Sequence, residues 1–371
     1  MRIGFDAKRA FHNFTGLGNY SRNVIRQLIA NYPENNYLLY NSGKNTCIEN
    51  FPPENCIIIQ PDNLFYEFFR SAWRSFRLSE IVLKDRLDIY HGLSNELPFG
   101  VINSPVRKVV TIHDLIFLRY PRIYKRADRE IYKIKFRYSA KAADKIIAIS
   151  EQTKRDLHHF FNIENSCIEV IYQDCSPVFY YNITRDELRN TREKYFLPSE
   201  YMLYVGTIEE RKNLLGILKA LVHFRIDTPL VIVGKETSYI KVITRYIAEN
   251  KLDNLYFLKN LPESDLPAIY ANSSLFLYPS FFEGFGIPVL EALNSGTPVV
   301  TSRGSCLEET GGKAAIYIDP YNTEEMGEAI KKVLQDSDLR KRMIEEGKKH
   351  AKSFRPEITT RQLYDLYKSM I

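Results

Sequence analysis

Two glutamates, Glu283 and Glu291, bracket the stretch EGFGIPVLEALNSGTPVV. Paired carboxylates first suggest acid–base work, which across one glycosidic bond needs them ~5 to 9.5 Å apart. The local pattern points elsewhere. SLFLYPS reads as a buried strand and FFEGFG as the turn that leaves it. Pro288 suits the first turn of a helix, where its missing N–H costs nothing, and Gly296 suits the stop. Chain that is part extended and part helical separates the carboxylates by roughly 10 Å or more. That spacing fits two grips on one long ligand. Glu283 would stand just before a helix N-terminus, whose free N–H groups suit a ligand rich in oxygen. Taken alone, Glu291 reads equally well as a solvated helix carboxylate.

Three further constellations could do chemistry. In YMLYVGTIEERKNLLGIL a strand ends at Gly206, a loop carries Arg211 and Lys212, and Asn213 opens a helix. Two cations beside a helix N-terminus make a phosphate site, although exposed Arg-Lys pairs are common. In FTGLGNY, Gly16 and Gly18 would let backbone approach a phosphate or a sugar; the pattern is not GxGxxG and is weak alone. In VVTIHDL, His113 and Asp114 leave a buried strand, and His91 leaves another in YHGLSNELP. A lone histidine is more often structural, but strand exits are where this architecture binds ligands.

The elements that must position these residues are legible as thirteen short apolar runs. They run from RIGFDA, NYLLYN, CIIIQ, DIYHG, KVVTIHD, KIIAIS and IEVIYQ to YMLYVG, PLVIVG, LYFLKN, SLFLYPS, PVVTS and AAIYID. Most are continuous rather than alternating, as strands covered on both faces are. Helical periodicity separates them, for example over 20–32, 213–223 and 324–334. The fold class is therefore α/β, with two Rossmann-like doubly wound domains facing a central cleft. The predicted boundary follows residue 178. Residues 1–178 form the first domain and 179–355 the second, with a helix from Pro356 to residue 371 crossing back through Leu363, Leu366 and Ile371.

Composition sets the outer limits. At 371 residues the chain is too long for one ordinary core. No window reaches the ~18 to 20 apolar residues of a membrane span, and the N-terminus has no signal-peptide core. The five cysteines (Cys47, Cys56, Cys167, Cys175, Cys306) are scattered, which disfavours zinc or disulfides and makes a reducing cytoplasm the expectation. The net charge of +6 is uneven: Arg119 to Lys141 carries nine basic residues against two acidic ones, interleaved with Tyr and Phe. That run reads as a solvated helix face or as a surface for anionic membrane; nucleic acid ranks lower because no recognition motif accompanies it.

Taken in order, the motifs resemble glycosyltransferase family 4, retaining enzymes of the GT-B fold. They are the glycine loop at Thr15 to Tyr20, TIHD, GTIEERKN, YPSFFEGFGIPVLEALNSGTPVV and AAIYIDP, and they span nearly the whole chain. The resemblance implies an acceptor-binding first domain and a nucleotide-sugar-binding second domain. It implies that Glu283 holds hydroxyls of the donor sugar and Glu291 the ribose. Arg211 and Lys212 would neutralise the leaving diphosphate, helped by backbone near Gly16 and Gly18. The amides of Phe285 and Gly286 would approach sugar or phosphate, with Glu309 and Thr310 in a flanking turn. His113 would hydrogen-bond the sugar near the reacting carbon.

The expected reaction is hexosyl transfer with retention, with mannose from GDP-mannose as the first choice of donor and UDP-sugars as the alternative. The expected acceptor is a glycan or a lipid-linked glycan, in polysaccharide or lipopolysaccharide assembly at the inner face of the cytoplasmic membrane. No cofactor and no metal are expected; the DSD at Asp336 to Asp338 reads as a helix cap. The sequence departs from the family pattern at Glu210, Lys259, Glu308 and Lys313, which leaves the base open. A nucleotide-sugar epimerase and a non-catalytic sugar-binding protein are the competing readings.

Overall fold

The computed structural model describes residues 1–43, 51–61 and 63–371. Among these, the chain divides into two compact units, Met1–Gln173 with Pro356–Ile371, and Asp174–Arg355. All thirteen apolar runs form strands. The first unit holds a seven-stranded parallel sheet of β1 (Arg2–Asp6), β2 (Asn36–Tyr40), β3 (Ile57–Ile59), β4 (Ile89–Gly92), β5 (Arg107–Ile112), β6 (Lys145–Ala148) and β7 (Ile168–Val170), in the order β3-β2-β1-β4-β5-β6-β7. The second holds a six-stranded parallel sheet of β8 (Met202–Val205), β9 (Leu230–Val233), β10 (Leu255–Leu258), β11 (Leu275–Tyr278), β12 (Val299–Ser302) and β13 (Ala315–Ile318), in the order β10-β9-β8-β11-β12-β13.

Continuous apolar sequence and two-sided burial explain each other here. Along β2, Leu38 and Tyr40 enter one core cluster with Tyr90, Val110 and Ile146. Tyr37 and Leu39 enter the cluster on the opposite face, with Phe5, Val109 and Ile147. A strand sandwiched between helix layers must be apolar at both parities, which removes the alternation of a half-exposed strand. The strand order reverses between β1 and β4 in the first sheet and between β8 and β11 in the second. At such a switch point the flanking connections run to opposite faces and leave a crevice at the carboxyl ends of the strands.

Two expectations need correction. The unit boundary falls after Gln173 rather than after residue 178. The reason is packing: Cys175 is buried beside the Asn294 amide, and the Phe179 ring meets Tyr270 edge-on, both within the second unit. The Pro356–Ser369 helix belongs to the first unit as expected, and buries Leu363 and Leu366. Ile371, however, lies past its end and is exposed, and Tyr367 takes the third core position. Its hydroxyl meets His91 Nδ1 at 2.5 Å, while His91 Nε2 meets Thr111 Oγ1 at 2.8 Å. His91 is thus a satisfied core residue, kept neutral by burial that lowers it to about 3.

Candidate active site

The second switch point gathers the charged residues. After β8, Gly206 and Gly234 bring two strand exits so close that a Cβ on Gly234 would stand 1.9 Å from the Gly206 carbonyl oxygen. The chain then turns through Glu210–Lys212 to Asn213, which adopts a left-handed conformation (φ +58°) and caps the Leu214–Phe224 helix through its side chain. Asn is one of the few non-glycine residues that tolerate this geometry. Its amide also donates to the Pro320 carbonyl at 2.8 Å, which fixes the loop. Arg211 and Lys212 are therefore aimed by a cap and not by chance.

They aim at Glu283, in the turn after β11. Lys212 Nζ lies 2.6 Å from Glu283 Oε1, and Arg211 Nη1 lies 2.8 Å from Oε2. Arg211 Nη1 also donates to the Phe282 carbonyl, and Nη2 pairs with Glu209 at 2.6 Å. Tyr278, the last residue of β11, donates its hydroxyl to Glu283 Oε1 at 3.1 Å and receives Lys212 Nζ as well. Burial alone would raise Glu283; the Lys212 and Arg211 charges outweigh it and hold the carboxyl down to about 2. Burial lowers Lys212, against the pull of Glu283. Burial would likewise lower Arg211, but Glu283 and Glu209 overcome it and raise the guanidinium. Two buried cations are thus held in place by Glu283 and, for Arg211, by the more exposed Glu209, an arrangement that fixes both where an anion could meet them.

Glu291 stands apart from this cluster. It is the fifth residue of the Ile287–Ser295 helix, which has Pro in its first turn and ends at Gly296 (φ +73°). Its hydrogen-bond partner among the described residues is Tyr270, whose hydroxyl donates to Oε2 at 2.8 Å. Gly286 precedes the helix at φ +108°, where an added Cβ would meet Leu307 at 2.6 Å. Phe285 is buried against Phe354, and its carbonyl accepts the Thr310 hydroxyl at 2.6 Å. The Glu309 carbonyl meets His350 Nε2 at 3.0 Å. Thr310, with Glu309 beside it on the Leu307–Gly311 helix, thus braces the turn of Phe285 and Gly286 next to Glu283, whose own carbonyl accepts the Cys306 thiol.

In the first unit the glycine loop and His113 meet through Tyr20, whose ring lies edge-on to the His113 ring at 4.7 Å. Gly16 opens the Gly16–Asn31 helix with nothing within 4 Å of a Cβ placed there. Gly18 has a different role: a Cβ would stand 1.8 Å from the Asn13 carbonyl oxygen, and its N–H is taken by Thr15 O and Asn13 Oδ1. It is a packing glycine, and its amide is already satisfied. His113 is buried with both ring nitrogens engaged, Nε2 with the Leu93 carbonyl at 2.9 Å and Nδ1 with Gln173 at 3.1 Å. A carbonyl can only accept, so Nε2 carries the proton and Nδ1 accepts from the Gln173 amide. Burial lowers His113 to about 4, so the ring is neutral.

Sequence reasoning missed Tyr278, Tyr270, Glu209 and Gln173. Tyr278 and Glu209 were open to it, the first as a strand's last residue just ahead of Glu283 and the second two residues before Arg211; Tyr270 and Gln173 come from distant segments with no local signal. Asp336 does cap the Ser337–Ala351 helix, accepting from Leu339 N–H at 2.8 Å.

Two Rossmann-like sheets, the second with a buried cation pair at its switch point, define a GT-B glycosyltransferase architecture. The comparisons give the family. The description "Glycosyltransferase Family 4" matches residues 14–173 and "Glycosyl transferases group 1" matches residues 188–350. The O-antigen chain mannosyltransferase B of Escherichia coli is 30% identical, over 99% of this chain and 100% of its own length. The chain belongs to glycosyltransferase family 4. Among solved structures, sucrose-phosphate synthase of Thermosynechococcus elongatus superposes with a TM-score of 0.81 at 19% identity, covering 100% of this chain and 99% of its own. The Anabaena protein Alr3699/HepE, solved in complex with UDP and glucose, gives 0.77 at 14% identity, with 99% of both chains covered.

Proposed function

We propose that the protein is a retaining hexosyltransferase that moves mannose from GDP-mannose to a glycan or lipid-linked glycan acceptor in surface polysaccharide assembly, the second unit holding the donor and the first the acceptor. The observation that carries this reading is the Arg211–Lys212–Glu283 cluster at the carboxyl ends of β8 and β11. Departure of a nucleoside diphosphate develops negative charge on phosphate oxygens. Fixed cations that need no reorganisation at that moment stabilise it most. In the proposed cycle donor binding comes first: its hydroxyls take over Glu283 and its diphosphate meets Arg211 and Lys212, so that both cations are in place before the bond breaks. The turn of Phe285 and Gly286, with Glu309 and Thr310 on the helix that braces it, flanks the same group, and Glu291 holds the ribose. The loop at Gly16 and the neutral His113 remain proposed donor contacts from the first unit. For His113 a sugar contact would have to displace Gln173 or Leu93 from the ring, or Asn95 from the backbone N–H, or share the carbonyl that accepts the Thr153 hydroxyl.

The choice of mannose and of an O-antigen-type product rests on the full-length likeness to the Escherichia coli mannosyltransferase. The two cations supply the charge a metal would otherwise provide, so transfer is expected to survive EDTA; a strict Mg²⁺ or Mn²⁺ requirement would contradict this. Work at the inner face of the cytoplasmic membrane is proposed from the surface of the first unit. Phe65, Phe68, Phe69 and Phe76 are exposed, Phe68 by 84%, and Ile131 and Ile134 are exposed on the basic Arg126–Ala142 helix. Exposed apolar side chains beside cations suit an anionic bilayer surface. No helix among the described residues is long and apolar enough to cross a membrane.

The test is a thermal-shift screen of GDP- and UDP-sugars, followed by transfer with the stabilising donor. A donor at 100 times its Kd stabilises by about 2.7 kcal/mol. GDP-mannose is expected to give the largest shift and an α-linked product. Donor hydrolysis or epimerisation without transfer would overturn the reading.

A further inference from the structure

Glu291 is a carboxylate with no cation partner among the described residues, the reverse of Glu283. Its Oε2 is held by the Tyr270 hydroxyl at 2.8 Å, and Oε1 bonds no described residue. Tyr270 itself has little freedom. Its buried ring meets Phe179 at 5.7 Å and Phe276 at 5.1 Å, both edge-on. Its carbonyl accepts the hydroxyls of Ser273 and Thr297, each at 2.7 Å. A hydroxyl on so fixed a ring sets the position of one carboxylate oxygen and leaves the other for a ligand.

The surroundings decide what that ligand sees. Burial pushes Glu291 up to about 7; the Tyr270 hydrogen bond pulls it down, and Glu263 pushes it further up. Of the other groups on neighbouring elements, Cys175 stays a thiol because burial raises it. Lys348 lies against Gly296, at the far end of the helix, and His350 is taken by the Glu309 carbonyl. Two vicinal ribose hydroxyls present two donors. An ionised carboxylate accepts both, whereas a protonated one has committed an oxygen to its own proton.

We propose that Tyr270 is a positioning residue for Glu291: from a ring locked in the core its hydroxyl fixes Oε2, which aims the carboxylate at the ribose hydroxyls and ties the grip on the nucleotide to the ionised carboxylate. The proposal rests on the reading of Glu291 as the ribose contact, and the experiment separates the two. GDP and, in a parallel series, UDP are titrated calorimetrically into the full chain from about pH 6 to about pH 9. For whichever nucleotide binds, wild-type affinity is expected to fall up to about tenfold per pH unit below the midpoint near 7. Tyr270→Phe keeps the ring and loses the hydroxyl. It should move that midpoint up by roughly one pH unit and weaken binding several-fold at neutral pH, with a smaller loss left at about pH 9 from the lost aim. A Tyr270→Phe curve superimposed on wild type, or one displaced equally at every pH, overturns the positioning role. Glu291→Gln should flatten the profile. If it binds nucleotide as wild type does, with the same pH dependence, the ribose assignment itself fails.

Discussion

Glu283 and Glu291 belong to one sequence motif and occupy opposite electrostatic environments. Glu283 sits in the turn after β11, and its oxygens meet Lys212 and Arg211 at 2.6 and 2.8 Å. Glu291 sits on the following helix, bonded by one phenol. Burial pushes both upward; two cations reverse it for the first, to about 2, and a single neutral hydrogen bond cannot for the second, at about 7. The lesson is that spacing in sequence conveyed a pair, whereas the neighbours assign different jobs. Glu283 is an anchor for two buried cations, held ionised at ordinary pH. Glu291, the proposed ribose grip, has a charge within reach of ordinary pH.

This contrast can be broken from either side. The largest effect is expected from Lys212→Ala, which removes a cation from the Glu283 side. If Lys212 acts as a preorganised charge stabiliser, the barrier rises by about 2 to 4 kcal/mol, a loss in kcat on the order of 30- to 1,000-fold in a steady-state transfer assay. Transfer at the wild-type rate would remove it from the catalytic set. Glu283→Gln leaves buried Lys212 without its carboxylate and Arg211 with Glu209 alone, and should lower unfolding stability by about 3 kcal/mol in denaturant titration. It should also flatten the acid limb of the stability curve. Glu283 ionises at a lower pH folded than unfolded, so its contribution is complete above about 4.5 and is lost as pH falls from there towards 2. Gly286→Ala tests the turn that separates the two glutamates. A left-handed backbone and a clash with Leu307 should cost on the order of 2 kcal/mol in thermal unfolding.

The smallest effect has the opposite sign. Glu291 binds its proton more tightly folded than unfolded, so stability should rise as pH falls from about 7 to about 4.5. Glu291→Gln removes the cost of a buried charge and should stabilise by about 1 kcal/mol at pH 8, while flattening that limb.

Much of this was legible in the sequence because it depends on local pattern. The thirteen strands could be read because two-sided burial forces unbroken apolar runs, as in LVIV of β9. The turn around Glu283 could be read because Gly286, Pro288 and Gly296 each serve one backbone need. The pairing of Arg211 and Lys212 with Glu283 was not legible, since 71 residues separate Lys212 from it; the family resemblance implied only that all three serve one donor. Tyr270 and Gln173 act across gaps of 21 and 60 residues and leave no trace in the spacing. Gly18 shows the limit of motif reading: a glycine that would let a ligand approach is held there by its own chain.

The most direct test of the two-environment account is carbon-13 NMR of the glutamate side-chain carboxyls in the nucleotide-free protein. Glu283→Gln and Glu291→Gln assign the two resonances. The account predicts that Glu291 titrates near pH 7 and that Glu283 stays ionised to about pH 2, or until the protein unfolds. Titration of both near 4.5, the ordinary value, would contradict it.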